Sequence, residues 1–224
     1  MPRLIFAVLM TLAVVLPVSA KNPEPGDTIS VRRAFLEMPE TMLDIVNRRT
    51  RSDMLIYYDA DSLWQAPNAV EGISVLEKVT PDYLALKITD VSRLDIKVLP
   101  YGKKGADIVA AAYTLTTPDS VADTELRFFD SNMQMLPTYT YLQAPEMRDF
   151  FSLPKGAKIS MKEIDEIVPF PTVEYILHPH SAELTARMTS LGTLSKENRE
   201  LVEPYLVKEI IYQWDGKKFR LKKK

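Results

Sequence analysis

The 224-residue chain carries 28 Lys and Arg against 30 Asp and Glu, a formal net charge of −2, and has no cysteine. That near-neutral balance offers no general attraction to nucleic acid or anionic lipid. The missing Cys excludes disulfides, a thiol nucleophile and a lipid anchor on an N-terminal Cys, so the chain must hold together by core burial.

Arg3, the apolar run Leu4 to Val18 and the small residues Val18-Ser19-Ala20 read as a cleavable export signal over residues 1–20. A run of about fifteen residues spans about 22 Å as a helix, short of a hydrocarbon core of about 30 Å. Cleavage after Ala20 is therefore expected, releasing a soluble chain into the periplasm or the medium. No later apolar run is long enough to cross a membrane. Residues 21–28 (KNPEPGDT) read as a flexible arm.

Ser30 is placed to cap a helix from Val31, with Ala34, Phe35 and Met38 on one face. Pro39 interrupts it, and Met42, Leu43, Ile45 and Val46 form a second stripe ending near Arg48. Residues 53–80 show no clear period. From Pro81 the period becomes two: Leu84, Leu86 and Ile88, then Leu94, Ile96 and Val98, predict a hairpin around Asp90-Val91-Ser92. Further strands are predicted from Ile108 to Leu115 and from Glu125 to Asp130.

The second half repeats that order. Ala144 to Phe151 suits a short helix with Pro145 first, and Ser160-Met161-Lys162-Glu163 matches a capping box. Strands are predicted over Val173–Leu177, Leu184–Met188, Leu206–Trp214 and Lys218–Leu221, with Asp215-Gly216 as the last turn. The expected fold class is α+β: two tandem units of short helices followed by about four antiparallel strands. Their bounds are residues 29–136 and 137–224, which also fit one continuous domain.

Met38-Pro39-Glu40, Arg51-Ser52-Asp53-Met54, Leu76 through Leu84, Lys97-Val98-Leu99-Pro100 and Phe128-Phe129-Asp130 together resemble domain-of-unknown-function family 3256. Its members are exported proteins of gut-anaerobe Gram-negative bacteria. The resemblance covers nearly the whole mature chain and implies export and a shared fold, but no site residue. The order of helices and strands is also similar to the tandem units of beta-lactamase inhibitor proteins, an architectural likeness that implies no function.

Chemistry-bearing patterns are sparse. Gly72-Ile73-Ser74-Val75-Leu76 lacks the second Gly of a nucleophile elbow. His178 and His180, with Glu174, are the candidate metal ligands, against a polar turn as the plainer reading. Asp59, Asp61 and Ser62 hint at a calcium loop without its remaining ligands. Glu163, Asp165 and Glu166 suit a solvated helix face better than paired catalytic acids. Gly102-Lys103-Lys104-Gly105 is too short for a phosphate loop.

Arg48-Arg49-Thr50-Arg51 and the alternating Lys218, Phe219, Arg220, Leu221 and Lys222 are basic clusters, the second reading as an edge strand. Tyr57, Tyr58, Trp64, Tyr139 and Tyr141 form either a glycan or peptide platform or part of the core. No residue is assigned as catalytic, cofactor-binding or metal-binding, and no cofactor is expected. The leading expectation is a non-enzymatic periplasmic binding protein whose partner is another envelope protein, a peptide or a glycan. The alternative is an envelope polymer hydrolase using dispersed carboxylates.

Overall fold

The computed structural model describes residues 28–61, 65–102 and 106–222. The expected export signal and all but Thr28 of the arm lie outside the described residues. Among those described, no helix is long and apolar enough to cross a membrane.

Ser30 caps α1 (Val31–Leu36) as expected, its hydroxyl accepting from the Arg33 N–H at 3.2 Å. One further turn, α2 (Glu40–Leu43), begins after Pro39. The expected stop near Arg48 is instead a start. Asn47 caps α3 (Arg48–Asp59) by accepting from the Thr50 N–H at 3.0 Å. The helix escapes periodicity because its buried stripe is only Arg51, Met54 and Leu55.

Seven antiparallel strands then follow in simple meander order: β1 (Gln65–Pro67), β2 (Ile73–Val79), β3 (Tyr83–Thr89), β4 (Ser92–Tyr101), β5 (Ala106–Thr116), β6 (Ala122–Phe129) and β7 (Met135–Leu136). The expected four are β3 to β6. β1 and β2 come from the segment without a clear period, where Pro67 and a bulge between Leu76 and Lys78 break the alternation.

Both faces of this sheet are buried. On one face Leu84, Leu86, Ile88, Leu94, Ile96, Val98, Val109 and Ala111 pack against Phe35, Met38, Leu43 and Met54 of the helical segment. On the other, Tyr83, Ala85, Leu99, Ile108, Ala110, Ala112, Leu126 and Phe128 meet the second half of the chain. Reading the period as a half-buried hairpin therefore understates the sheet. The intervening Ala85, Ala110 and Ala112 are small because a second layer packs on them.

That layer is a second antiparallel sheet, order β11-β10-β9-β8, built from β8 (Val173–Leu177), β9 (Glu183–Met188), β10 (Ile210–Trp214) and β11 (Phe219–Leu221). Short helices flank it: α4 (Thr138–Tyr141), α5 (Met161–Ile167) and α6 (Lys196–Val202). Ser160 and Glu163 form the expected capping box at α5. The helix expected over 144–151 is a 3-10 turn, Met147–Phe150. The strand expected from Leu206 begins only at Ile210, since Glu203–Tyr205 is another 3-10 turn. The α6 helix, capped by Ser195, was not expected. The architecture is α+β, with helices, a seven-stranded sheet and a four-stranded sheet stacked in that order.

An aromatic chain ties the two sheets. Phe128 stacks on Tyr141 at 5.2 Å, Tyr141 on Trp214 at 6.3 Å, and Trp214 meets Phe219 edge-on at 5.2 Å. The Trp214 indole N–H donates to the Pro100 carbonyl at 2.7 Å, and burial pushes the Tyr141 phenol up to about 12.

The last hairpin closes with Gly216 and Lys217 at its centre, one residue later than expected. The Asp215 N–H donates to the Lys218 carbonyl, and Gly216 sits at φ +89°, where glycine is favoured. Arg220, then the Lys218 and Lys217 amides, hold the Asp215 carboxyl down at about 2. A carboxyl lowered by folding stabilises above its ordinary range, and that contribution is lost as pH falls toward 2. Asp215→Asn is therefore expected to flatten the acid limb of the stability curve between about pH 4 and 2, measured by denaturant titration across that window.

Candidate functional site

The second sheet covers the seven-stranded sheet beneath β4 to β6 and reaches Tyr83 and Ala85 of β3 and Lys78 of β2, but leaves β1 and the adjoining ends of β2 and β3, around Val75 and Lys87, open on the same face. Cross-strand register puts Gln65, Val75 and Lys87 in one row there, with Pro67 and Ile73 beside them. The β1–β2 loop contributes Val70 and Gly72, and the β3–β4 turn contributes Asp90 and Val91. Together they border an open depression of about 650 Å³. Three of its apolar side chains face water: Val70 is 58%, Ile73 54% and Val91 49% exposed. The Lys87 ammonium meets Asp90 at 2.6 Å, and this contact holds the Asp90 carboxyl below its ordinary range.

One side chain builds the loop. Asn68 Oδ1 accepts from the Val70 and Gly72 N–H groups at 3.1 and 2.9 Å, while its Nδ2 donates to the Ile88 carbonyl at 2.9 Å. A Cβ on Gly72 would lie 3.1 Å from Asn68 Nδ2, so glycine lets the loop close on this amide. Ser74, considered above as part of an incomplete elbow, is fully buried and donates to the Ile88 carbonyl at 2.7 Å. It is a strut, not a nucleophile.

Along the inner rim the face turns polar and passes under the second sheet. The Arg93 guanidinium donates to both Asp95 oxygens at 2.8 Å, and the Tyr83 hydroxyl donates to the same carboxylate at 2.5 Å. Burial, then the Asp95 charge, drives the Tyr83 phenol well above its usual value. Lys97 is 3% exposed, pairs with Asp82 at 2.8 Å and donates to the Pro179 carbonyl at 3.2 Å. Lys78 Nζ lies 3.1 Å from His180 Nε2. These heads bond one another, so the seam positions the β8–β9 turn against the sheet.

The residues singled out from sequence do not converge. His178 Nε2 bonds the Thr185 hydroxyl at 2.8 Å, His180 meets Lys78, and Glu174 faces Arg187 at 3.9 Å. Among the described residues no group of three His, Asp or Glu could hold a metal. Asp59 is paired with Arg32 at 2.6 Å, and Asp61 lies in the following turn at φ 53°. Ser62 lies outside the described residues. Glu163 is used by its capping box, Glu166 faces Lys162 at 3.9 Å and Asp165 is exposed on the same helix.

Gly102 donates its N–H to the Gly216 carbonyl, while Lys103, Lys104 and Gly105 lie outside the described residues. The basic run at Arg48 is not one surface, because Arg51 is buried. The C-terminal run is an edge strand as read, with Phe219 buried and Arg220 paired to Asp215.

No aromatic platform assembles among the described residues either. Tyr141 is in the core and its neighbour Tyr139 is exposed. The Tyr58 hydroxyl accepts from the Val79 N–H at 3.1 Å, Tyr57 is half-exposed, and Trp64 lies outside the described residues. The depression itself escaped notice in the sequence. Its only trace is the pair Ile73 and Val75, an i, i+2 spacing too short to mark a strand.

A family model described as "Protein of unknown function (DUF3256)" matches residues 27–219. A comparison with curated proteins found no match. Among solved structures, the chain is similar to a domain of an uncharacterized protein from Porphyromonas gingivalis W83. The TM-score is 0.73 at 22% identity, over 90% of this chain and 100% of that one. The chain belongs to the DUF3256 family, and the likeness to the Porphyromonas gingivalis domain shows a shared fold.

Proposed function

We propose that this member of the DUF3256 family is an exported, non-enzymatic binding protein of the bacterial envelope, and that the open face of β1 and the adjoining ends of β2 and β3 is its working surface. The observation that supports this is the uncovered end of the central sheet. There Val70, Ile73 and Val91 are held in water around a depression already shaped by Asn68 and Gly72. The export pattern of residues 1–20 supports a partner in the envelope, an exposed protein, peptide or glycan.

The test is a pull-down from envelope extract with the mature protein and with the double variant Ile73→Asp, Val91→Asp. Charge on two exposed side chains leaves the fold intact and spoils an apolar surface. A partner recovered by the parent chain and at least tenfold depleted with the variant is the expected result. Equal recovery by both, or no partner with either, would overturn the reading.

A further inference from the structure

The near-neutral balance of the whole chain conceals a segregation of charge. Residues 215–224 hold six of the 28 Lys and Arg and one of the 30 Asp and Glu, a local charge of +5. The other 214 residues carry 22 against 29, or −7. Such a distribution turns one edge of the molecule toward anions while the rest is repelled by them.

Folding spreads these cations along an exposed edge. β11 is the outer strand of the second sheet and pairs only with β10. Lys218, Arg220 and Lys222 alternate with Phe219 and Leu221, so they share a face at intervals of about 7 Å. Phe219 turns into the core, whereas Leu221 is 62% exposed. Arg220 is paired with Asp215 at 2.7 Å and Lys222 with Glu183 at 2.5 Å. Lys217 and Lys218 are exposed and use only their backbone N–H groups, both donating to Asp215 at 2.8 Å. Lys223 and Lys224 follow in sequence and lie outside the described residues.

An ammonium is a point charge on a flexible stem, without the fork that matches a single carboxylate or phosphate. A row of them along an open edge therefore suits a partner that offers many anions over an area. A lipid surface does so, and an exposed Leu beside the cations can enter its boundary. We infer that the β10–β11 hairpin is an electrostatic docking edge for an anionic lipid surface, with Lys217 and Lys218 as its free charges and Leu221 as its apolar contact. In the sheet order β11-β10-β9-β8 this edge lies farthest from β8, whose turn reaches Lys78 of β2 near the open face. Docking through β11 thus leaves that face free.

Co-sedimentation of the mature protein with vesicles of phosphatidylcholine, alone or with about one-third phosphatidylglycerol, tests this. Binding to the anionic vesicles alone is expected, falling about tenfold between roughly 0.05 and 0.5 M salt as the charges are screened. Lys217→Gln with Lys218→Gln should weaken it about tenfold at the lower salt. Arg48→Gln with Arg49→Gln removes equal charge from α3, on the other side of the central sheet, and should leave binding within about twofold. Phosphate ions should displace the protein no better than chloride at equal ionic strength. Equal binding to both vesicles, binding to neither, equal loss in the two variants or stronger displacement by phosphate would overturn the docking edge. So would retention on immobilised polyglutamate without vesicle binding, which assigns the hairpin to an acidic protein. None of these readouts involves the open face, so they stand apart from the binding proposal.

Discussion

Phe128→Ala is expected to destabilise the protein by about 4 kcal/mol, read from the midpoint shift in a urea titration at constant slope. Phe128 is fully buried on β6, stacks on Tyr141 and reaches Phe219 of the last strand at 6.2 Å. The cavity would open where the two sheets meet, and the short α4 that carries Tyr141 has little of its own to collapse with. A total stability of about 5–15 kcal/mol makes this a large fraction. The same side chain bears on whether residues 29–136 and 137–224 fold as two units or as one continuous domain, and because its cluster draws from both we propose the latter. The variant should therefore show one transition at a lower midpoint. Two separated transitions would mean that each half folds alone.

Arg51→Met should cost about 3 kcal/mol in the same measurement, although it keeps most of the apolar stem. The Arg51 Nη1 donates to the Phe35 and Met38 carbonyls at 2.8 and 2.9 Å, joining the end of α1 to α3 under a nearly complete apolar cover. Burial, more than its charged neighbours, pulls the guanidinium below its usual value. Its Nε has no partner among the described residues, so removing the side chain also removes an unsatisfied donor. That offset is why the loss is put near 3 kcal/mol and not at the upper end for a buried charged bond. Arg51→Lys, with one ammonium in place of the fork, should fall between parent and Met. A Met variant as stable as the parent would show that the two carbonyls do not need this donor.

Elements with strong local signals were readable. Ser30 at α1, the Ser160-Glu163 box at α5, and the alternations through β3 and β4 all declare themselves within a few residues. What stayed hidden was long-range. Arg51 reads as surface charge because the carbonyls it serves lie 16 and 13 residues away. Lys97 and Asp95 read as the polar side of a half-buried strand. They are buried because the β8–β9 turn and its sheet arrive from far along the chain. The open platform was illegible for the same reason, since it is defined by where the second sheet stops. No local pattern in Gln65, Ile73 or Lys87 records that boundary.

The most direct test of the platform is photo-crosslinking from single positions of the mature protein in intact envelopes. A crosslinker replacing Ile73 sits on the open face, whereas one replacing Phe170, 85% exposed after α5, sits on the second half of the chain. A discrete adduct from position 73, with none of that size from position 170, is the expected result. An adduct from position 170 alone, or none from position 73, would contradict it.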